Sequence, residues 1–187
     1  MLFLRFLGEA GWPAPQLREI ELRKGSKKWT TLYCQILVGV RRLFHCARLV
    51  HGDLSEYNIL VCSSEQVENS IGKSEDAKKD LQVVLIDFGQ AVERNHPSAI
   101  TLLKRDLQIL NAFFLKQEIT TLDQKESEDF VTRDFEGGNS SSTEKQEDRL
   151  IETEILDGWR HTPKDWSDEK NLEWLFNRLE EIKSVPP

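Results

Sequence analysis

At 187 residues the chain is long enough for one domain with a real hydrophobic core. Charged side chains make up 30% and hydrophobic ones 39%, with a mean hydropathy of -0.50; this is a soluble-protein composition, and no apolar run is long enough to cross a bilayer. The net charge of -7 is concentrated in residues 117–154, which hold 12 acidic and 4 basic side chains, so neither a membrane role nor sequence-specific nucleic-acid binding through a basic face is expected.

Residues 2–7 have the look of a short buried strand, and Gly8 to Pro15 (GEAGWPAP) then breaks regular structure. From Ser26 to Ala47 the apolar positions Trp29, Leu32, Tyr33, Ile36, Val40, Leu43, Phe44 and Ala47 recur at helical spacing, with Ser26 as N-cap. Leu49 to Val61 reads as a loop entering a strand, residues 63–81 as a polar surface insertion, and Val83 to Ile86 as a second strand that stops at Asp87. Pro97 suits the first turn of a helix carried on by Ile100, Leu103, Leu107, Leu110 and Phe114. Beyond about residue 117 the period fails, and GGNSSSTEKQED at 137–148 is a linker by composition. A last helix is predicted from Ser167, with Leu172, Leu175, Phe176, Leu179 and Ile182 as its stripe and Pro186 at its end. Cys34, Cys46 and Cys62 have no CxxC spacing and read as buried or idle thiols.

Two motifs carry chemistry. His51, Asp53 and Asn58 reproduce a catalytic-loop spacing in which an aspartate precedes an asparagine by five positions, and Asp87-Phe88-Gly89 follows at the end of the next strand. Phosphoryl transfer needs a carboxylate beside the attacking hydroxyl, which Asp53 supplies, and oxygen ligands for a hard divalent cation, which Asn58 and Asp87 supply. Either triplet alone arises by chance in many chains. Their order and their placement beside two β-rich runs make the pair specific. His51 reads as a structural histidine bonded to the backbone near Asp87, and Phe88 as core packing.

LVHGDLSEYNIL resembles the catalytic loop of the RIO family of atypical serine/threonine kinases, and IDFGQAVERNHPSAITLLKRDLQILNAFF resembles their metal-binding loop and following helix. The likeness is greatest to the branch that holds the founding member, and MLFLRFLGEAGWPAPQL resembles that branch's hinge. It covers roughly residues 1–116; Ser55-Glu56, Gln90, His96-Pro97 and Arg105-Asp106 are its most specific parts. The resemblance implies Asp53 as proton acceptor, Asn58 and Asp87 as magnesium ligands, Asp87 as the site of an aspartyl-phosphate intermediate, and hinge backbone from Arg5 to Leu7 against the adenine. It implies ATP and Mg2+ as cofactors, a protein or self phosphoacceptor, a pre-40S ribosomal particle as partner in 18S rRNA maturation, and a cytoplasmic address with the nucleus second.

The expected fold is therefore α+β: a mainly helical, protein-kinase-like C-terminal lobe with a small β-hairpin carrying Asp87. Residues 1–116 form the hinge and lobe, 117–154 a disordered acidic linker, and 155–187 a helical tail. No Gly-rich phosphate loop, strand lysine or partner glutamate is found, so the N-terminal lobe is expected to be missing and the chain by itself to turn over ATP poorly. Position 52 is Gly where ordinary kinases carry Arg, and no APE-like segment follows Asp87. Two other readings compete. A small-molecule phosphotransferase of the aminoglycoside or choline kinase type shares the HGDL-x-x-x-N pattern but not the segment after Asp87, and an inactive scaffold lobe predicts no turnover.

Overall fold

In a computed structural model of the chain, residues 6–9, 11–63, 81–133 and 167–184 are described. Among the described residues there are four helices, α1 (Lys27–His45), α2 (Ala99–Lys116), α3 (Gln124–Thr132) and α4 (Asp168–Ser184), and three small two-stranded antiparallel sheets. The sheets pair β1 (Gly8–Glu9) with β2 (Trp12–Pro13), β3 (Leu49–Val50) with β6 (Val92–Glu93), and β4 (Ile59–Ser63) with β5 (Leu81–Leu85). This is the α+β, mainly helical lobe expected. No helix among the described residues is long and apolar enough to cross a membrane.

The amphipathic stripe of α1 is the centre of the core. Trp29, Leu32, Tyr33, Ile36, Leu37 and Val40 are buried, and from α2 Leu103, Leu107, Leu110 and Phe114 pack against them. Trp29 and Tyr33 meet Phe114 edge-on, with ring centroids 6.0 and 5.1 Å apart, a geometry that suits the ring quadrupoles. Ser26 takes the N-cap position of α1 through its carbonyl, which accepts from the Trp29 and Thr30 amides, and makes no side-chain cap bond. Ile100, assigned to the α2 stripe, is 46% exposed; the helix starts at Ala99, beyond Pro97, and it is Ala99 that turns inward.

Three parts of the sequence reading need correction. Residues 2–5 of the expected first strand lie outside the described residues; among those described Phe6 is 61% exposed, and the first strand is Gly8–Glu9, inside the segment expected to be irregular, with Gly11 at φ 86 turning the chain into β2. The acidic stretch after residue 117 does not remain a linker up to residue 133. Asp123 and Glu126 form a reciprocal capping box, in which Asp123 Oδ1 accepts from the Glu126 amide at 2.7 Å, and this nucleates α3. Ser127, Phe130 and Val131 then bury one face of α3 against α1. Arg41, itself buried, donates to the Phe130 and Val131 carbonyls, and His45 Nε2 donates to the Val131 carbonyl at 2.8 Å, satisfying main-chain groups that a helix end leaves open. The rest of the expected linker, residues 134–154, lies outside the described residues.

The last helix begins where predicted but is no separate tail. Leu175 and Leu179 of α4 are fully buried in the same core, Trp174 stacks on Phe130 with centroids 5.3 Å apart, and the Arg178 guanidinium donates to Glu126 of the α3 capping box. A buried network centred on Tyr33 ties the helices further. Its hydroxyl donates to Asn111 Oδ1 at 2.8 Å and accepts from the Leu122 amide at 3.1 Å, while Asn111 Nδ2 donates to the Leu122 carbonyl and to Ser127 Oγ. Burial pushes the Tyr33 phenol far above its ordinary range, so it acts as a neutral donor. Burial likewise pushes the Cys34 thiol up to about 12, and none of the three cysteines is in a disulfide. Leu179→Ala should destabilise the lobe by about 2–5 kcal/mol in urea unfolding; a loss below about 0.5 kcal/mol, the ordinary effect of a surface change, would mean that α4 does not belong to the core.

Candidate active site

The β4–β5 hairpin brings the two motifs together. Ile59 pairs with Leu85, and the next pair outward is closed by the Ile86 amide donating to the Asn58 carbonyl at 3.0 Å. Asn58 and Asp87 therefore emerge at the same end of the hairpin, one residue from a shared main-chain bond. The Asn58 side chain turns back into its own loop, where Nδ2 donates to the Asp53 carbonyl at 2.8 Å. That bond commits the amide nitrogen and leaves Oδ1 as the atom a hard cation would meet. Asp53 and Asp87 are both exposed. The three residues nominated as proton acceptor and metal ligands thus share one hydrogen-bonded corner of the lobe.

Asp87 sits at φ 62 and ψ 70, in the left-handed region, with Oδ1 accepting from the Gly89 amide at 3.4 Å. Aspartate tolerates this region better than most residues, and such backbone at a strand end re-aims the side chain. The chain continues through a short 3-10 turn, Phe88–Gln90, into β6, whose pairing with β3 carries it back beside the entry to the catalytic loop. His51 does what was expected of it: it is buried and its Nε2 donates to the Ile86 carbonyl at 2.9 Å. Phe88 differs from expectation. It is 43% exposed and lies against the His51 ring with centroids 4.9 Å apart.

Gly52 is a requirement of geometry. Its φ is +77, and a Cβ there would stand 2.5 Å from the Gln90 carbonyl oxygen, so the catalytic loop and the segment after Asp87 touch backbone to backbone. Behind this contact lies a group to which the sequence reading gave no role. The Asp106 carboxylate, buried in α2, accepts from the Gly52 amide at 2.8 Å and the Leu54 amide at 3.1 Å. A signal was available: Asp106 falls within the apolar stripe Leu103, Leu107, Leu110, where a carboxylate is admitted only with partners.

The hinge is less complete. Arg5 lies outside the described residues. The Leu7 carbonyl accepts from the Ala14 amide at 2.8 Å, which closes the turn around β1 and β2. The chain then runs along the hairpin, with the Val61 amide donating to the Pro15 carbonyl at 2.9 Å and the Arg18 guanidinium over the Tyr57 ring at 4.7 Å.

As for a metal, no cluster of three or more His, Cys, Asp or Glu exists among the described residues. A magnesium ion fits that economy, since it is ordinarily held by one or two carboxylates together with substrate phosphates and water. Asn58 Oδ1 and the Asp87 carboxylate are the groups that would hold it.

The family model described as the RIO domain matches residues 1–68 and 77–127 of the chain. This chain belongs to the RIO domain family. Among curated RIO relatives it is 32% identical over 132 residues to human serine/threonine-protein kinase RIO1, an alignment covering 71% of this chain and 20% of the relative. To the RIO-type serine/threonine-protein kinase Rio1 of Thermoplasma acidophilum it is 34% identical over 121 residues, covering 65% of this chain and 52% of the relative. The chain therefore spans between a fifth and about half of these RIO proteins. Among solved structures it is similar to the Rio2 kinase-ADP/Mg2+-phosphoaspartate complex from Chaetomium thermophilum, with a TM-score of 0.48 and 26% identity over 90% of this chain and 44% of that one.

Burial raises the Asp106 carboxyl above its ordinary value, against the opposing pull of the Gly52 and Leu54 amides, His51 and Arg105. Between the ordinary and the raised value the folded state holds a proton that the unfolded state has released. Its contribution to stability is complete below that interval and is lost as pH rises through it. Urea unfolding of the wild type and Asp106→Asn from acid to neutral pH should show the wild type's advantage shrinking as pH rises; an advantage that grows with pH would contradict the assignment.

Proposed function

We propose that this lobe serves RIO-type phosphoryl transfer from ATP, with Mg2+, to a serine or threonine hydroxyl of a protein or of the chain's own polypeptide. The observation that carries the reading is the pair of bonds that draws the motifs together, Asn58 Nδ2 to the Asp53 carbonyl and the Ile86 amide to the Asn58 carbonyl. Membership of a family whose curated relatives are named serine/threonine-protein kinases supports the reaction class.

In this mechanism Asp53 accepts the proton of the attacking hydroxyl as its oxygen bonds to the γ-phosphorus and the bridging oxygen leaves with ADP. Magnesium, when bound, would neutralise charge on the phosphate oxygens, and Asn58 Oδ1 and the Asp87 carboxylate are the groups that would hold it. The exposed Asp87 carboxylate is also the acceptor we assign for an aspartyl-phosphate intermediate, from which water would release phosphate and complete an ATPase cycle. The hinge backbone around Arg5 and Leu7 is our assignment for adenine. The same family membership suggests work in small-subunit maturation, with a pre-40S particle as partner and the cytoplasm, then the nucleus, as address; co-sedimentation of the complete gene product with small-subunit precursors tests that part.

The catalytic part is tested in the complete gene product. Asp53→Ala should lower turnover by at least about 100-fold, the usual range for loss of a general base, with ATP affinity nearly unchanged. Asp87→Ala should weaken magnesium-dependent nucleotide binding. Wild-type turnover in both variants would refute these roles.

A further inference from the structure

Two consecutive residues of α2 grip the two peptide units that flank Gly52, the second of which leads into Asp53. The Gly52 amide donates to the buried Asp106 carboxylate at 2.8 Å, and the Gly52 carbonyl accepts from the guanidinium Nη2 of Arg105. That carbonyl shares its peptide plane with the Asp53 nitrogen, so its direction sets the direction in which the Asp53 side chain leaves the loop. Glycine is the residue least able to hold that direction by itself, because without a Cβ its backbone angles are the freest in the chain. The Asp106 bond restrains the amide side of Gly52, and the Gln90 carbonyl, 2.5 Å from where a Cβ would stand, prevents the substitution that would stiffen it. The carbonyl side remains, and among the described residues the Arg105 side chain is what holds it.

We propose that Arg105 is a positioning residue for Asp53, fixing the Gly52–Asp53 peptide so that the catalytic carboxylate is held in one orientation before substrate arrives. The proposal rests on the phosphotransferase reading of Asp53. Arg105 is otherwise an exposed residue of α2, so its replacement removes little packing. The acceptor is a single carbonyl oxygen, which a lysine ammonium can also serve, with a shorter and less directional reach.

Arg105→Ala and Arg105→Lys decide the matter in the complete gene product, each read in two ways. Without nucleotide, the carbonyl 13C resonance of Gly52 should move upfield in Arg105→Ala, as a carbonyl does on losing a donor, and stay near the wild-type position in Arg105→Lys. With Mg-ATP, kcat of Arg105→Ala should fall roughly ten- to a hundred-fold, the scale of a misplaced catalytic group, while KM for ATP and the melting midpoint hold and Arg105→Lys recovers most of the rate. An unmoved Gly52 resonance would overturn the clamp, and a moved resonance with unchanged kcat would overturn the positioning role. A wild type without turnover would sink the phosphotransferase reading and the catalytic half of this proposal with it, while the resonance still decided the clamp.

Discussion

The hydrogen bond from the Ile86 amide to the Asn58 carbonyl closes the open end of the β4–β5 hairpin, and the candidate site depends on it. Side chains alternate across a strand with a period of two, so a slip of one residue in this register would send Asn58 or Asp87 to the opposite face. The register is held by the five pairs from Ile59↔Leu85 to Ser63↔Leu81 and by burial of Ile59 and Val61. Apolar burial on one side of the hairpin thus decides where Asn58 and Asp87 stand at its end.

The catalytic loop is fixed from behind by different means. Its support is polar: His51 on the Ile86 carbonyl and Asp106 on the Gly52 and Leu54 amides. Each of these groups is expensive to bury unless satisfied; His51 reaches from the loop to the main chain just before Asp87, Asp106 reaches the main chain of the loop, and the Asp53 and Asp87 side chains stay exposed. The α1 core supplies rigidity further back, where Arg41, Tyr33 and Asn111 anchor α3 and its preceding loop.

What could be read from sequence follows the strength of the local signal. The stripe of α1 and Leu103 to Phe114 of α2 are long, and the structure has each where it was expected; the order HGD, Asn58, DFG is chemically specific, and the β4–β5 hairpin joins its parts. The capping box at Asp123 and Glu126 went unread because α3, at 9 residues, has only about two and a half turns, too few for a period to register, and its neighbours are acidic enough to pass for linker. The burial of Leu175 and Leu179 was legible as a helix stripe, but nothing local to residues 167–184 says which surface that stripe will cover. Asp106 lay in plain view within an apolar stripe, yet its partners are main-chain amides some fifty residues away, which only the fold brings near. The β3–β6 pairing was likewise out of reach, since two residues on each side carry no pattern.

The account stands or falls on whether Asp53, Asn58 and Asp87 face one metal-nucleotide complex. Manganese titrated into the chain in the presence of ATP, with paramagnetic broadening followed residue by residue in NMR spectra, tests this directly. The account predicts that the Asn58 side-chain amide and the main-chain signals of Asp53, Asp87 and Gly89 broaden together at the lowest metal concentration. Broadening that begins in the acidic stretch around Asp123 to Asp129 and spares Asn58 and Asp87 would contradict it.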